Sequence, residues 1–588
     1  MKKRSQIKNE YKWDKSCLCK NDEEFEIKLE KINEYLPKFK KFEGNLKDKK
    51  NVWNYICLDE EFEKFIDPLI LYIHMKRDEE LSNNNSNKLY QKLSNIMNKF
   101  SVETSLLSSQ FQNLDDKLLD EIISDEKFKD YRRDFEMIKK SKKHNLTDDQ
   151  EKLLSGMDFF GYSSIMRNLS DVDLKFGQIK DSKGKIYALT QSKYGIFMHS
   201  KDRELRKQAF CKLNGKFGEF INTLAENYIN KVKANCYFSK VRKYDSALAK
   251  ALFHEEVSEK VYTNLIKQVH NNLPILFKFF DLKKQMLNLK DFYIYDQMAS
   301  LPSSKNQKYT FEEAIELLKK ALAPLGQEYV SLLQQAKDEH WIDVFPNVDK
   351  RSGAYENAVY DYHPFVLTNF EGDLESVFTL AHELGHAMHS YYSNKTQPRA
   401  KAEYTIFLAE IASTTNEMLL LNYLLKDASK NEKMALYTKL FEEVKSTIFR
   451  QTMFAEFEEK IHEMQENNVP LTKDTLCDLY YDLNKQYFGK VKLVKEVRYE
   501  WARIPHFFTP FYVYKYATGL VSAINFANRI LKGETGALEK YIEFLSAGCS
   551  DNPVEILKKA GCDLEKDEAY DVVFNYLKDI IKEMKKEM

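Results

Sequence analysis

Residues 379–390, TLAHELGHAMHS, place His382, Glu383, His386 and His389 within one short stretch of a 588-residue chain that holds only twelve histidines. If the stretch is helical, His386 lies about 40° round from His382 and one turn further on. Two imidazoles in that relation converge on one metal ion, and the intervening glutamate stands beside it, as H-E-x-x-H chemistry requires. Val377, Leu380, Leu384, Ala387, Met388 and Tyr391 fall on the opposite side, so the histidines point away from the core stripe. An ordinary amphipathic helix carries stray histidines singly; a pair with a glutamate between them indicates a metal site.

A catalytic zinc needs a third protein ligand and one open position. The next segment, KAEYTIFLAEIASTTNEMLLLNYLL, offers Glu403, Glu410 and Glu417, spaced by seven and therefore on one helical face. Phe407, Leu408, Ile411 and Met418 surround them, which suits a buried polar face as well as a solvated one. Glu410 follows His386 by 24 residues, enough for a loop and a returning helix, and a neighbouring carboxylate could orient a ligand histidine through its other nitrogen. His389 and His363 are rivals for the third position that periodicity does not separate.

These groups must be held by a mostly helical scaffold. Glycine (18) and proline (12) are scarce, while 43% hydrophobic and 31% charged residues fit an ordinary globular chain. Helical spacing runs from Asp22 to about Asn145, with SNNNSNK (82–88) as a loop between two helices. Alternation on either side of DSKGK, with Gly184 at the turn, predicts a β-hairpin and sets a boundary near residue 190: an N-terminal helical region over 1–190 and a catalytic domain over 191–588. Helical periodicity then resumes, broken at 352–373 by a strand–turn–strand element just ahead of a helix that Asp373 is suited to cap.

Ninety basic and ninety acidic residues balance, which removes any global electrostatic case for nucleic acid or an anionic membrane as partner. The N-terminus leads into no apolar run, and no stretch of 18 apolar residues occurs, so neither a secretory signal nor a membrane span is expected. Eight scattered cysteines read as free thiols of a reducing cytoplasm.

HELGHAMHS followed by FLAEIASTTNEML resembles the M3 family of zinc metallopeptidases, and within it the oligoendopeptidase F branch. The likeness extends upstream through GKIYALTQSKYGIFMHSKDRELRKQAF and HPFVLTNFEGDLESVFTLAHELGH, downstream to RIPHFFTPFYVYKYATG, and even to YKWD near the start. It implies a mainly α fold of two lobes around a deep channel for short peptides, with a small β element beside the H-E-x-x-H helix. By position in the family motif, His382, His386 and Glu410 would hold one zinc per chain, and Glu383 would be the general base. The family also uses a histidine and tyrosines of a C-terminal segment on the tetrahedral intermediate. His506 matches the histidine, and Tyr512 is favoured over Tyr514 and Tyr516, with Tyr516 one turn on against the substrate.

The expected chemistry is hydrolysis of internal bonds in short oligopeptides, with Glu383 taking the proton of a zinc-activated water and returning it to the leaving amine. The strand over 363–370, with His363 at its start, would add an extended substrate to the sheet edge. Two alternatives stand: a helical zinc carboxypeptidase, which would require a free substrate carboxylate, and a non-enzymatic helical protein with a structural, four-ligand zinc.

Overall fold

The computed structural model describes residues 1–155, 161–301 and 307–588. The chain is mainly helical and gathers into two compact units, each drawn from three stretches of sequence: Met1–Lys143, Asn306–Tyr423 and Arg529–Ala560 form the first, and His144–Lys305, Leu424–Asn528 and Gly561–Met588 the second.

In the first unit the long helices Lys49–Glu79 and Asn84–Gln112 pack together. The join is shorter than the polar run 82–88 implies. The Asn83 side chain accepts the Ser86 N–H and starts the second helix, so most of the asparagine-rich run is helical. Phe62 stacks on Phe100 at 4.5 Å across this pair, and the core around them is aliphatic and aromatic.

A three-stranded sheet lies beside that core. Phe365–Leu367 is its centre, paired in parallel with Ile342–Asp343 and antiparallel with Tyr355–Asn357. All three residues of the central strand are fully buried, which explains its unbroken apolar run. Both edges of Phe365–Leu367 are therefore taken, and the expectation that the 363–370 segment pairs with substrate is corrected: Tyr355–Asn357 is the antiparallel edge strand. The N-terminal YKWD segment locks the sheet, since the Trp13 indole donates to Trp341 O (3.0 Å) and Val366 O (2.8 Å). Beneath it the fully buried Asp343 carboxylate accepts from Arg4 and Lys350, which satisfies a charge that would otherwise be costly.

The second unit is built on helices Arg203–Glu219, Ile221–Val241, Glu259–Met286, Arg450–Glu466 and Lys473–Phe488. The expected hairpin is present as Gln178–Lys180 against Ile186–Ala188, with Gly184 at φ +81° in the turn. Among the described residues no helix is long and apolar enough to cross a membrane, and no disulfide joins the cysteines.

Candidate metal centre

The helix Leu374–Thr396 begins where the sequence places its cap: the Asp373 carboxylate accepts the Ser376 N–H at 2.8 Å. Gly372 precedes it at φ +77°, and a Cβ there would sit 2.7 Å from Tyr309 O, so only glycine permits this entry. Val377, Leu380, Leu384, Ala387 and Met388 are fully buried on one side of the helix.

The second helix, Ile406–Asp427, crosses this one at Gly385. A Cβ at Gly385 would lie 2.5 Å from Ser413 Cα and 2.8 Å from Ala412 O, so the absence of a side chain lets the two backbones touch. Asn416 adds a buried tie, donating to Ala381 O at 3.0 Å and accepting from the Tyr329 hydroxyl at 2.8 Å. The glycine of H-E-L-G-H thus sets how closely the glutamate-bearing helix approaches the two histidines.

At that approach His382, His386 and Glu410 each offer a ligand atom, all within 4.8 Å of one another. Glu410 Oε2 is 3.4 Å from His382 Nε2 and 3.7 Å from His386 Nε2, and the two Nε2 atoms face each other at 3.2 Å. Two imidazole lone pairs at that separation need a proton or a cation between them. On the far side of His382, Nδ1 donates to Glu417 Oε1 at 2.6 Å, which fixes the ring and leaves Nε2 to the cluster. The sequence leaves open which neighbouring carboxylate orients a ligand histidine; Glu417, seven residues after Glu410, is the one that does.

The electrostatics are those of a cation site. Burial works against a charged His382, yet hydrogen bonds to Glu410 and Glu417 outweigh it and raise the imidazole to about 10. His386 is pushed down to about 4 by burial and by the charge on His382. The His382 contact in turn holds Glu410 below the ordinary carboxylate range. Two nitrogen donors and one carboxylate match the His₂Glu donor set of catalytic zinc sites. Glu383 is buried, and burial with the nearby Glu410 and Glu417 charges lifts its carboxyl to about 7, against the pull of His382. It lines a 530 Å³ pocket with His382, Glu417, Gly353 and Ala354, the last two leading into the edge strand. A larger cavity of 1040 Å³ in the same unit is lined by Asp59, Glu63, Asp67 and Glu356 and includes none of the cluster.

The rivals go elsewhere. His389 is fully buried and stacks on Tyr404 at 3.6 Å, with no hydrogen-bond partner for either ring nitrogen among the described residues. His363 stacks on Trp341 with its Nδ1 at Pro364 O (2.9 Å) and its Nε2 near Cys17 Sγ (3.9 Å), so it reads as packing rather than as ligand or substrate contact. Glu403 precedes the second helix and lines the larger cavity.

In the second unit, His506, Tyr512 and Tyr516 form a ring group of their own. Their centroids lie 6.2 Å (His506–Tyr512), 6.0 Å (His506–Tyr516) and 5.4 Å (Tyr512–Tyr516) apart. All three are partly exposed, whereas Phe507, Phe511, Val513 and Tyr514 between them are buried. Tyr514 is a core residue, its hydroxyl donating to Glu255 at 3.3 Å, and this separates it from the two tyrosines beside it. Burial lowers His506 from its ordinary value.

A family model described as Peptidase family M3 matches residues 196–575, and one described as Oligopeptidase F matches 110–176. The chain is 37% identical to Oligopeptidase PepF of Bacillus subtilis, across 99% of this chain and 88% of that one. It is 36% identical to an oligoendopeptidase F homolog of Borreliella burgdorferi, across 99% of each. The crystal structure of a Chlamydophila abortus protein, 36% identical, superposes over the whole of both chains with a TM-score of 0.94.

Proposed function

The chain belongs to peptidase family M3 and is a metallopeptidase of the oligoendopeptidase F kind; from that premise we propose that it is a zinc-dependent endopeptidase cutting internal bonds of short peptides, with 191–588 as its catalytic domain. The observation that carries the reading is the convergence of His382, His386 and Glu410 beside a buried Glu383. His382, His386 and Glu410 would hold one zinc per chain, and three protein donors leave a position for water and substrate. Zinc bound there supplies Lewis acidity and brings the pKa of water towards about 7.

The protein's own groups then have distinct tasks. Glu383 accepts the proton of the attacking water and passes it to the leaving amine, and its place next to His382 in the lining of the pocket puts the carboxyl beside the position that zinc would occupy. Glu417 keeps His382 in the tautomer that presents Nε2. The strand Tyr355–Asn357 offers backbone donors and acceptors to an extended peptide, with Gly353 and Ala354 lining the Glu383 pocket. His506 and Tyr512 would donate to the oxyanion, and Tyr516 would contact substrate; their partial exposure amid a buried segment supports this.

The test is zinc analysis paired with cleavage mapping on unstructured peptides of graded length, each with a free and an amidated C-terminus. One zinc per chain with internal cuts in both forms is expected, and casein should survive. A requirement for the free carboxylate would favour the carboxypeptidase reading. Metal that persists with no cleavage of any peptide would favour a structural zinc.

A further inference from the structure

The helix Arg450–Glu466 carries a carboxyl that no catalytic step uses. Glu458 is fully buried, its Oε1 accepts the backbone N–H of Phe511 at 2.8 Å, and its Oε2 has no hydrogen-bond partner among the described residues. Burial raises it to about 8, with the Phe511 N–H and Lys231 pulling the other way. A buried carboxyl with one oxygen unsatisfied is costly, and an apolar side chain would pack more cheaply in an aromatic surrounding.

The residue it holds is also strained. Phe511 has φ +54°, the left-handed region that a bulky side chain rarely adopts. Its ring is nonetheless buried, 4.7 Å from the His462 ring and 6.0 Å from that of Tyr262. Two local costs therefore meet in a single hydrogen bond, and such strain persists only where its surroundings over-determine it. The place is informative. Phe511 separates the short helical turn Pro505–Phe508, which bears His506, from the helix Tyr514–Leu531, and it immediately precedes Tyr512. Phe511 lies in the turn there, and just beyond it the Tyr512 ring lies near-parallel with His506, at 14°.

We propose that Glu458 is a positioning residue, whose buried carboxyl holds Phe511 in its left-handed conformation and so sets Tyr512 against His506 and Tyr516. The proposal rests on the reading of that ring group as the oxyanion and substrate contacts. An acceptor is what the task needs, so Glu458→Gln should serve and Glu458→Leu should not. With the acceptor gone, Phe511 relaxes towards an ordinary φ and carries Tyr512 with it; a displacement of that kind costs about 10- to 100-fold in rate.

The experiment measures kcat, KM, zinc content, melting temperature and amide hydrogen exchange over 505–516 for both variants of the full chain. In Glu458→Leu, kcat should fall about 10- to 100-fold with KM within a few-fold, zinc retained, and exchange over 505–516 faster. Glu458→Gln should keep kcat within a few-fold and keep the protection. If the leucine variant does not fold, Glu458→Met replaces it as the acceptor-free form. A Gln variant as impaired as the acceptor-free one, or a loss accounted for by unfolding, would overturn the proposal. So would an unchanged kcat without the acceptor. In that last case His506→Phe and Tyr512→Phe locate the failure: if they lower kcat, the positioning role alone is wrong, and if they do not, the reading of the ring group has failed with it.

Discussion

The histidine–glutamate cluster of the first unit and the ring group of the second are held in place by opposite means. His382, His386, Glu410 and Glu417 sit on two regular helices, and charge-assisted contacts of 2.6–3.7 Å fix them once Gly385 lets the helices meet. His506, Tyr512 and Tyr516 stand across a non-repetitive turn, with ring centroids 5.4–6.2 Å apart and a left-handed phenylalanine between them. In the first case repeating backbone geometry places the groups, and electrostatics sharpen the placement. In the second, one strained torsion and its buried acceptor decide where the rings go.

The largest effect expected of any single change lies in the first unit. On the proposed mechanism Glu383→Gln keeps the shape of the side chain but removes the base, so kcat should fall by about 10² to 10⁴ while elemental analysis shows undiminished zinc. A variant that cleaves at near the wild-type rate would leave the cluster without a catalytic base and end the contrast.

Next comes the ring group. In the roles proposed for them, Tyr512 and His506 each give a donor to the oxyanion, so Tyr512→Phe and His506→Phe should each cost the about 10² to 10³ in kcat that is typical of such a loss. Loss of a contact made only in the transition state lowers kcat and kcat/KM together. Tyr514→Phe sharpens the comparison, because the buried Tyr514 should register in melting temperature and leave the kinetic constants near wild type. The reverse pattern, with Tyr514 kinetically important and Tyr512 silent, would mean that exposure misidentifies the working tyrosine.

A smaller effect separates ligand from orienting group. Glu417→Gln keeps a hydrogen-bond acceptor for His382 Nδ1 but loses the charge, and should weaken metal binding about 10- to 100-fold. Glu410→Ala removes a donor and should weaken it more. Both are read by competition with a chelator of known affinity. Equal losses would make Glu417 a ligand in its own right.

The smallest change tests how the first site is built. Gly385→Ala would gain about 0.5–1 kcal/mol of helix propensity, yet the new Cβ would meet Ser413 Cα at 2.5 Å. Overpacking of this kind typically costs about 1–3 kcal/mol, so a net fall in melting temperature with weakened metal binding is expected. A stabilised variant with unaltered metal affinity would show that the close crossing is not what positions Glu410.

Much of the first site could be read from the chain alone, because a helix repeats. His382 and His386 at i and i+4, Asp373 as the cap, and Glu410 and Glu417 seven apart all follow from 3.6 residues per turn, and each is found where that spacing puts it. The hairpin about Gly184 and the strand–turn–strand ahead of the histidine helix were equally legible, from alternation and turn chemistry. Periodicity failed at three identifiable points. It could not say that Phe365–Leu367 is flanked on both sides, since the Ile342–Asp343 partner lies more than twenty residues away and strand order is a property of the assembled sheet. It could not separate Tyr512 from Tyr514 and Tyr516, because FYVYKY lies in a turn and the first residues of a helix, with no repeating phase to assign faces. And it stretched the asparagine-rich loop past its true end at Asn83, where a side chain turns caps the next helix.

What the sequence by itself determined is therefore the set of candidate ligands and the local elements that present them, since both depend on spacings of a few residues along one backbone. What the tertiary structure decided is which of several candidate groups meet. Glu410 reaches the two histidines, while His389 and His363 are left in aromatic stacks, because Gly385 brings Ser413 against the histidine helix. Tyr512 faces His506 across a left-handed Phe511 whose N–H is accepted by Glu458, 53 positions earlier in the chain. Contacts between residues so far apart depend on the close packing of whole elements, and no local periodicity encodes that packing.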